Sequence, residues 1–337
     1  MKAKLVITLA LISLCMLQVR SQDFHLTQYD AFSLYLNPAL TGNYLGEHND
    51  ADYRVQTVYR TQWRPLASKP YTTYGISYDM PYKRFGLGGY LLDNRSGGLS
   101  FNTLNFQLSG SYFITDPKES PHLLNVGLQL GGFYKSFNFN NALFESQYDY
   151  TSGQLNANIN SGEVFQRNNR TNFDANMGMY YKYRKSDSRF WPFVGLAVFH
   201  ANMPVETFTS YKSRLPMRWT VNGGCDFIID DKWKATPMIL YMNQARAWEL
   251  NVGGLAYYKL NDSKDVRYDL IFGLNYRVKD AVMIQAGVKK DNFMLRMSYD
   301  VNTSYLNSYS NGKGGFEITL SVTGKKGESP FKSMASF

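Results

Sequence analysis

Six arginines, Arg54, Arg60, Arg218, Arg267, Arg277 and Arg296, stand at alternate positions of segments whose other face is apolar, and Asp174, Asp226, Asp269, Asp300 and Glu317 recur on the same sides. Charges of both signs on one face of a period-two segment can pair with each other, hold an inserted segment, or line a conducting pore. Pairing and holding is the favoured reading, and a pore is the alternative. Covalent chemistry has little to draw on. The four histidines, His25, His48, His122 and His200, lie far apart, and no His-x-x-His, Cys-x-x-Cys or Gly-x-Ser-x-Gly spacing exists. Gly86-Leu87-Gly88-Gly89 sits inside a strand pattern with no helix after it, so these glycines relieve crowding against a neighbouring backbone or an inserted plug rather than cradle phosphate. His200 reads as a structural hydrogen bond at a strand end. No catalytic residue, cofactor or metal is expected, and the chain reads as a non-enzyme.

The elements that must position these charges are strands. Phe293, Leu295, Met297, Tyr299 and Val301 share one face, opposite Met294, Arg296, Ser298 and Asp300. Phe316, Ile318, Leu320 and Val322 likewise oppose Glu317, Thr319, Ser321 and Thr323, so the two segments form a hairpin with an apolar and a polar side. Charges on the second face would need partners in a soluble core. A barrel in lipid explains both faces, with acyl chains outside and a wet or plugged lumen inside. About fourteen such strands are predicted, at 53–63, 71–80, 84–93, 99–114, 122–134, 172–183, 189–200, 216–229, 232–244, 246–260, 265–278, 280–289, 292–301 and 314–323. The excursions at 135–170, 201–215 and 302–313 fall after odd strands, while short turns follow even ones, which predicts both ends of the barrel in the periplasm.

Composition agrees. Aromatics make up 16% of the chain, as the interfacial girdles of such barrels require, and the mean hydropathy of −0.36 is compatible because only alternate strand residues face lipid. The net charge of +9 is spread over strands and turns with no dense basic run, so no nucleic-acid partner is expected. Met1-Lys2-Ala3-Lys4 and an apolar run from Leu5 to Leu17 predict a signal peptide over 1–21, too short for a spanning helix of roughly 20 residues. Its removal takes Lys2, Lys4 and Arg20 and leaves +6. Cys15, preceded by Leu14, goes with the leader and leaves Cys225 alone, which excludes an internal disulfide.

Residues 22–50 are expected to form an N-terminal periplasmic or plug segment, 51–323 the outer-membrane barrel and 324–337 a polar tail. The plug motif is Gln28, Tyr29, Asn37, Pro38, Ala39 and Gly42: Asn37 caps a helical turn, Pro38 takes its first position and Gly42 supplies a left-handed stop. The long excursion carries an aromatic cluster, Phe137, Phe139, Phe144, Tyr148 and Tyr150, which is the expected partner-binding or pore-constricting element.

The plug motif, together with the closing hairpin (Tyr299, Asp300 and Asn302, then Asn311, Gly312, Gly314, Gly315, Phe316 and Glu317), resembles the PorP/SprF family over essentially the whole mature chain. Its members are outer-membrane proteins associated with the type IX secretion system of Bacteroidetes. The resemblance implies an accessory barrel of the secretion and gliding machinery that docks or retains exported adhesins bearing a type IX C-terminal signal domain. Other secretion subunits and outer-membrane lipid are the further partners it implies. The alternative is a channel or transporter for a small or apolar solute, similar to long-chain fatty-acid channels, whose N-terminal hatch shares the Asn-Pro-Ala element.

Overall fold

The computed structural model describes residues 23–44, 51–63, 70–97, 101–117, 119–138, 145–156, 158–160, 162, 167–208, 213–260, 268–305 and 307–325. The expected leader, most of the polar tail, His48, Phe139, Phe144 and Arg267 lie outside them. Among the described residues sixteen strands follow one another: β1 (Tyr53–Gln62), β2 (Tyr71–Tyr82), β3 (Phe85–Ser96), β4 (Phe101–Phe113), β5 (His122–Ser136), β6 (Tyr148–Asp149), β7 (Gln154–Leu155), β8 (Asn169–Tyr183), β9 (Phe190–Phe199), β10 (Arg218–Ile228), β11 (Trp233–Gln244), β12 (Ala247–Lys259), β13 (Tyr268–Arg277), β14 (Ala281–Lys290), β15 (Phe293–Asn302) and β16 (Lys313–Gly324). All but β6 and β7 form one closed antiparallel barrel of fourteen strands, and β1 seals against β16 with Tyr53 opposite Gly324 and Gln62 opposite Gly315. Closure gives every one of these fourteen strands a neighbour on both sides, the condition for a sheet to cross hydrocarbon.

Alternation decides the two faces. On β13, Phe272, Leu274 and Tyr276 are exposed on the outer surface, while Asp269, Asn275 and Arg277 are buried in the lumen. The inversion of the usual soluble pattern is plain in the extremes: Leu274 is 63% exposed, Glu317 not at all. Ring pairs such as Trp233–Tyr258 and Phe190–Phe227 stand near the short-turn end, where an aromatic girdle belongs. Strands of 10 to 15 residues, tilted, are long enough for the apolar band.

The ladder runs further than the alternation predicts at the long excursion, where β5 continues to Ser136 and β8 begins at Asn169. The excursion also carries its own small hairpin, β6 with β7. The expected single aromatic cluster is divided: Phe137 packs against Phe208 at 4.5 Å and Phe101 at 6.3 Å, whereas Tyr148 pairs with Tyr150 at 5.2 Å. Phe137 follows directly on β5 and is tied to the barrel rim; the β6–β7 hairpin carries the two tyrosines elsewhere.

Residues 23–44 thread the lumen. Leu26, Phe32 and Leu34 pack on Val58, Tyr90 and Leu92 of the wall, and Tyr29 and Leu36 pack on Leu240. Burying each such side chain contributes about 1.5–3 kcal/mol. These wall residues are where the segment rests; a separate apolar cluster of the inner face, Met238, Leu255 and Ile271, is built from wall residues alone.

Candidate functional site: a pinned plug and an outer cavity

Each end of the threaded segment is fastened by side chains that the strands direct inward. At the short-turn end Asn37 accepts a hydrogen bond from the Ala39 amide at 2.9 Å and starts the turn Pro38–Leu40, while Gly42 takes a φ of +67°. The Asn37 amide also donates to the carbonyls of Met179 (3.0 Å) and Leu196 (3.2 Å), so one side chain both caps the turn and anchors it to β8 and β9. Arg54 grips Asp79 with two bonds, 3.0 and 2.8 Å, and Asp79 accepts the Gly42 amide at 2.6 Å. Arg54 also donates to the Leu40 carbonyl at 3.3 Å and lies 4.7 Å over the Tyr44 ring.

A second lock sits on the closing hairpin. The two oxygens of Glu317 accept the consecutive amides of Thr27 and Gln28, each at 2.8 Å. Asp300 accepts the Thr27 hydroxyl at 2.7 Å, and Arg60 neutralises both acids, at 2.9 Å to Asp300 and 3.1 Å to Glu317; it also contacts the Thr27 hydroxyl. The Gln28 side chain is held by Ser298 and Thr319. Arg277 extends the network to Asp300 (3.3 Å) and Asp280 (2.8 Å), and Arg296 binds Asp30 of the plug at 2.8 Å. The rest of the hairpin motif shapes the turn: Asn311 and Gly312 both take left-handed φ, and Asn302 ties the turn to Ser310 at 2.9 Å. Tyr299 and Phe316 face outward, and Gly314 and Gly315 follow Lys313 at the start of β16, where the register shifts opposite Asp300 and Val301.

A third set fastens the start of the segment at the long-loop end. His200, one residue past β9, lies 2.8 Å from both Asp23 and Asp174, and Arg218 reaches Asp23 at 3.2 Å and the Tyr35 hydroxyl at 2.8 Å. Arg218 also stacks between Tyr35 and Phe199. The plug was expected at the periplasmic mouth. Instead it crosses the lumen from Asp23, beside His200 and Gln244 at the long-loop end, to Gly42, beside Asp79 at the other. Of the remaining expected lumenal charges, Asp226 pairs with Lys182 (2.7 Å) and Thr236 (2.6 Å) on the wall itself, and Asp269 is buried on β13.

His25 of the plug and His200 of the wall behave oppositely. His25 is pushed well below the usual imidazole range by burial and by the guanidiniums of Arg277 and Arg60. Neutral, it accepts from Arg277 through Nε2 at 2.6 Å, and its Nδ1 lies 3.2 Å from the Glu249 carboxylate. Burial opposes charge on His200 too, but Asp23 and Asp174 outweigh it and raise the group to about 9. Burial also opposes charge on Asp23, yet His200 and Arg218 hold its carboxyl below the ordinary range. The His200 tether therefore stabilises the plug fully below about pH 6.5, its unfolded value, and loses that contribution as pH rises through about 9. Once the intrinsic, base-catalysed rise of exchange with pH is divided out, the protection of amides near Phe24 is expected to fall between pH 7 and pH 10, and His200→Gln should abolish that fall; an identical protection profile in the variant would refute the tether.

Above the plug, at the long-loop end, lies a cavity of about 400 Å³, with Phe24 and Tyr35 of the plug on its floor and Trp63, Tyr71, Tyr90, Phe101 and Phe133 among its walls. Sequence patterning singled out no cavity.

A model of the family described as type IX secretion system membrane protein PorP/SprF matches residues 18–322. Comparison with curated proteins returns no match. Among solved structures, the Ralstonia pickettii toluene transporter TbuX is 11% identical, with a TM-score of 0.51 over 87% of this chain and 92% of that one. The CymD monoaromatic hydrocarbon channel is also 11% identical, with a TM-score of 0.50 over 88% and 94%. At such identity the likeness is one of fold. The closed fourteen-strand barrel and the family match together make this chain an outer-membrane member of the PorP/SprF family of type IX secretion system membrane proteins.

Proposed function

We propose that this barrel is a closed docking platform of the type IX machinery, which holds an exported adhesin at its long-loop face rather than conducting through its lumen. The observation that carries this reading is the plug: it spans the lumen and is fastened at both ends and along the β15–β16 hairpin by buried charges. The favoured orientation puts the short turns and the β1–β16 seam in the periplasm and the long loops outside, as in other barrels of this kind. Tyr150 is 90% exposed and Tyr305 81%, and exposed tyrosines on loops above a closed lumen suit a protein partner. The secretion subunits beside it are a second class of partner, and lipid surrounds the wall.

Replacing residues 137–168 by a short turn is expected to abolish surface display of the adhesin while leaving the barrel folded. Unchanged display would overturn the reading. In planar bilayers the intact protein should stay nearly silent. A second reading, a channel for a small apolar solute, draws support from the outer cavity and from the fold shared with TbuX and CymD. Solute uptake by vesicles carrying the protein, with display unaffected by the loop replacement, would favour it.

A further inference from the structure

The geometry points to the outer cavity as a binding site for a neutral saccharide of one or two rings. Its charges are already spoken for. Asp23 and Asp174 hold His200, Arg218 holds Asp23, and Lys135 contacts Glu206. An anionic or cationic ligand would have to break one of these buried pairs, so the cavity selects against net charge. What remains available is of two kinds. Rings stand on several sides: Phe24 stacks on Tyr35 at 5.2 Å and Trp63 meets Tyr71 edge to face at 5.0 Å, giving apolar faces at right angles within one small space. Between them Gln62, Thr103 and Asn105 line the same cavity, half-buried, with polar groups that serve no bond of the barrel lock.

A hydrocarbon the size of toluene would cover those amide and hydroxyl groups without offering them a partner, and an unpaired polar group under a ligand costs affinity. A sugar ring presents C–H faces to aromatic rings and hydroxyls at its edge, and an amide both donates and accepts. A space of about 400 Å³ matches the small end of ligand pockets. This assignment is independent of the docking reading, since it concerns what enters the lumen mouth and not what the outer loops hold.

The test uses the full chain in detergent, titrated with maltose, cellobiose, lactose and chitobiose, with toluene and a blocked neutral tripeptide as competitors, and saturation-transfer NMR as the readout. At least one disaccharide is expected to bind saturably. Asn105→Leu should weaken it by about tenfold or more, the loss of one well-made hydrogen bond. Thr103→Val, which keeps shape and volume, should weaken it in the same direction, and the heat-dependent gel shift of folded barrels checks both variants. The assignment fails if no disaccharide saturates, if toluene or the tripeptide binds in preference, or if both folded variants bind as the parent does.

Discussion

Arg60→Ala is expected to cost about 3–5 kcal/mol of stability and to convert a silent barrel into a conducting one. Arg60 is 1% exposed and neutralises two carboxylates at once, Asp300 at 2.9 Å and Glu317 at 3.1 Å. Without the guanidinium, two acids face each other with Arg277 reaching only Asp300. The lumen then lowers its energy by admitting water or cations, or by protonating an acid. Either route competes with the bonds that Glu317 makes to the amides of Thr27 and Gln28, so relief of the charge and release of the plug are the same event. Thermal unfolding in detergent and single-channel recording measure the two consequences. Arg60→Lys keeps the charge but not the planar fork that serves both acids, and should fall between parent and alanine in both measurements. A destabilised Arg60→Ala protein that stays electrically silent would detach the lock from the closure of the lumen.

The barrel itself is legible because lipid outside and charges inside impose one period on fourteen segments, and β13 shows that period from Tyr268 to Arg277 with Ile271 as the one apolar residue on its inner face besides Gly273. Arg60, Asp300 and Glu317 are legible as a set for the same reason, since alternation puts them all in the lumen. Their plug partners are not. Asp23, Asp30, Thr27 and Ser33 lie in a segment with no period, so nothing in their spacing says which way they point. Asp79, on the inner face of β2, stands outside the expected set of lumenal charges although register puts it directly opposite its partner Arg54. A usable signal was present in Val58 and Leu240: an apolar residue on a polar inner face has to be covered, and the plug covers both. Phe208 could not be matched to Phe137 because the two are joined only through loop geometry, which side-chain pattern does not encode. The run Gly86-Leu87-Gly88-Gly89 is legible as a place of close approach to a neighbouring backbone or a plug, and both occur: a β-carbon on Gly86 would collide with the Thr41 carbonyl of the plug, one on Gly88 with the Tyr78 carbonyl and one on Gly89 with the Gln107 carbonyl of the wall.

The same argument from close approach gives the second large effect, Gly127→Ala. Gly127 on β5 stands opposite Gly178 on β8, and this pair leaves a recess in the wall for Asn37, Pro38 and Ala39. A β-carbon on Gly127 would overlap the Pro38 carbonyl and the Ala39 amide, and one on Gly178 would overlap the Asn37 side chain. The first obstacle is backbone in a capped turn, which cannot swing aside as a flexible side chain can. The ladder does not object, because its bonds do not depend on the side chain and the outward face is untouched. Barrel assembly should therefore proceed, with a normal heat-dependent gel shift, while the turn is expelled together with the bonds from Asn37 to Met179 and Leu196 and from Asn125 to Ala39. Overpacking of this kind costs about 1–3 kcal/mol or more. Since the collision is with the first carbon, Gly127→Val should be little worse than Gly127→Ala. Gly110→Ala on β4 serves as the control, because a β-carbon there comes no nearer than 4.0 Å to the Gly86 carbonyl. Limited proteolysis reads the outcome: cleavage within residues 23–44 is expected in both Gly127 variants and not in Gly110→Ala. A plug as protected in Gly127→Ala as in the parent would mean that the recess does not hold it.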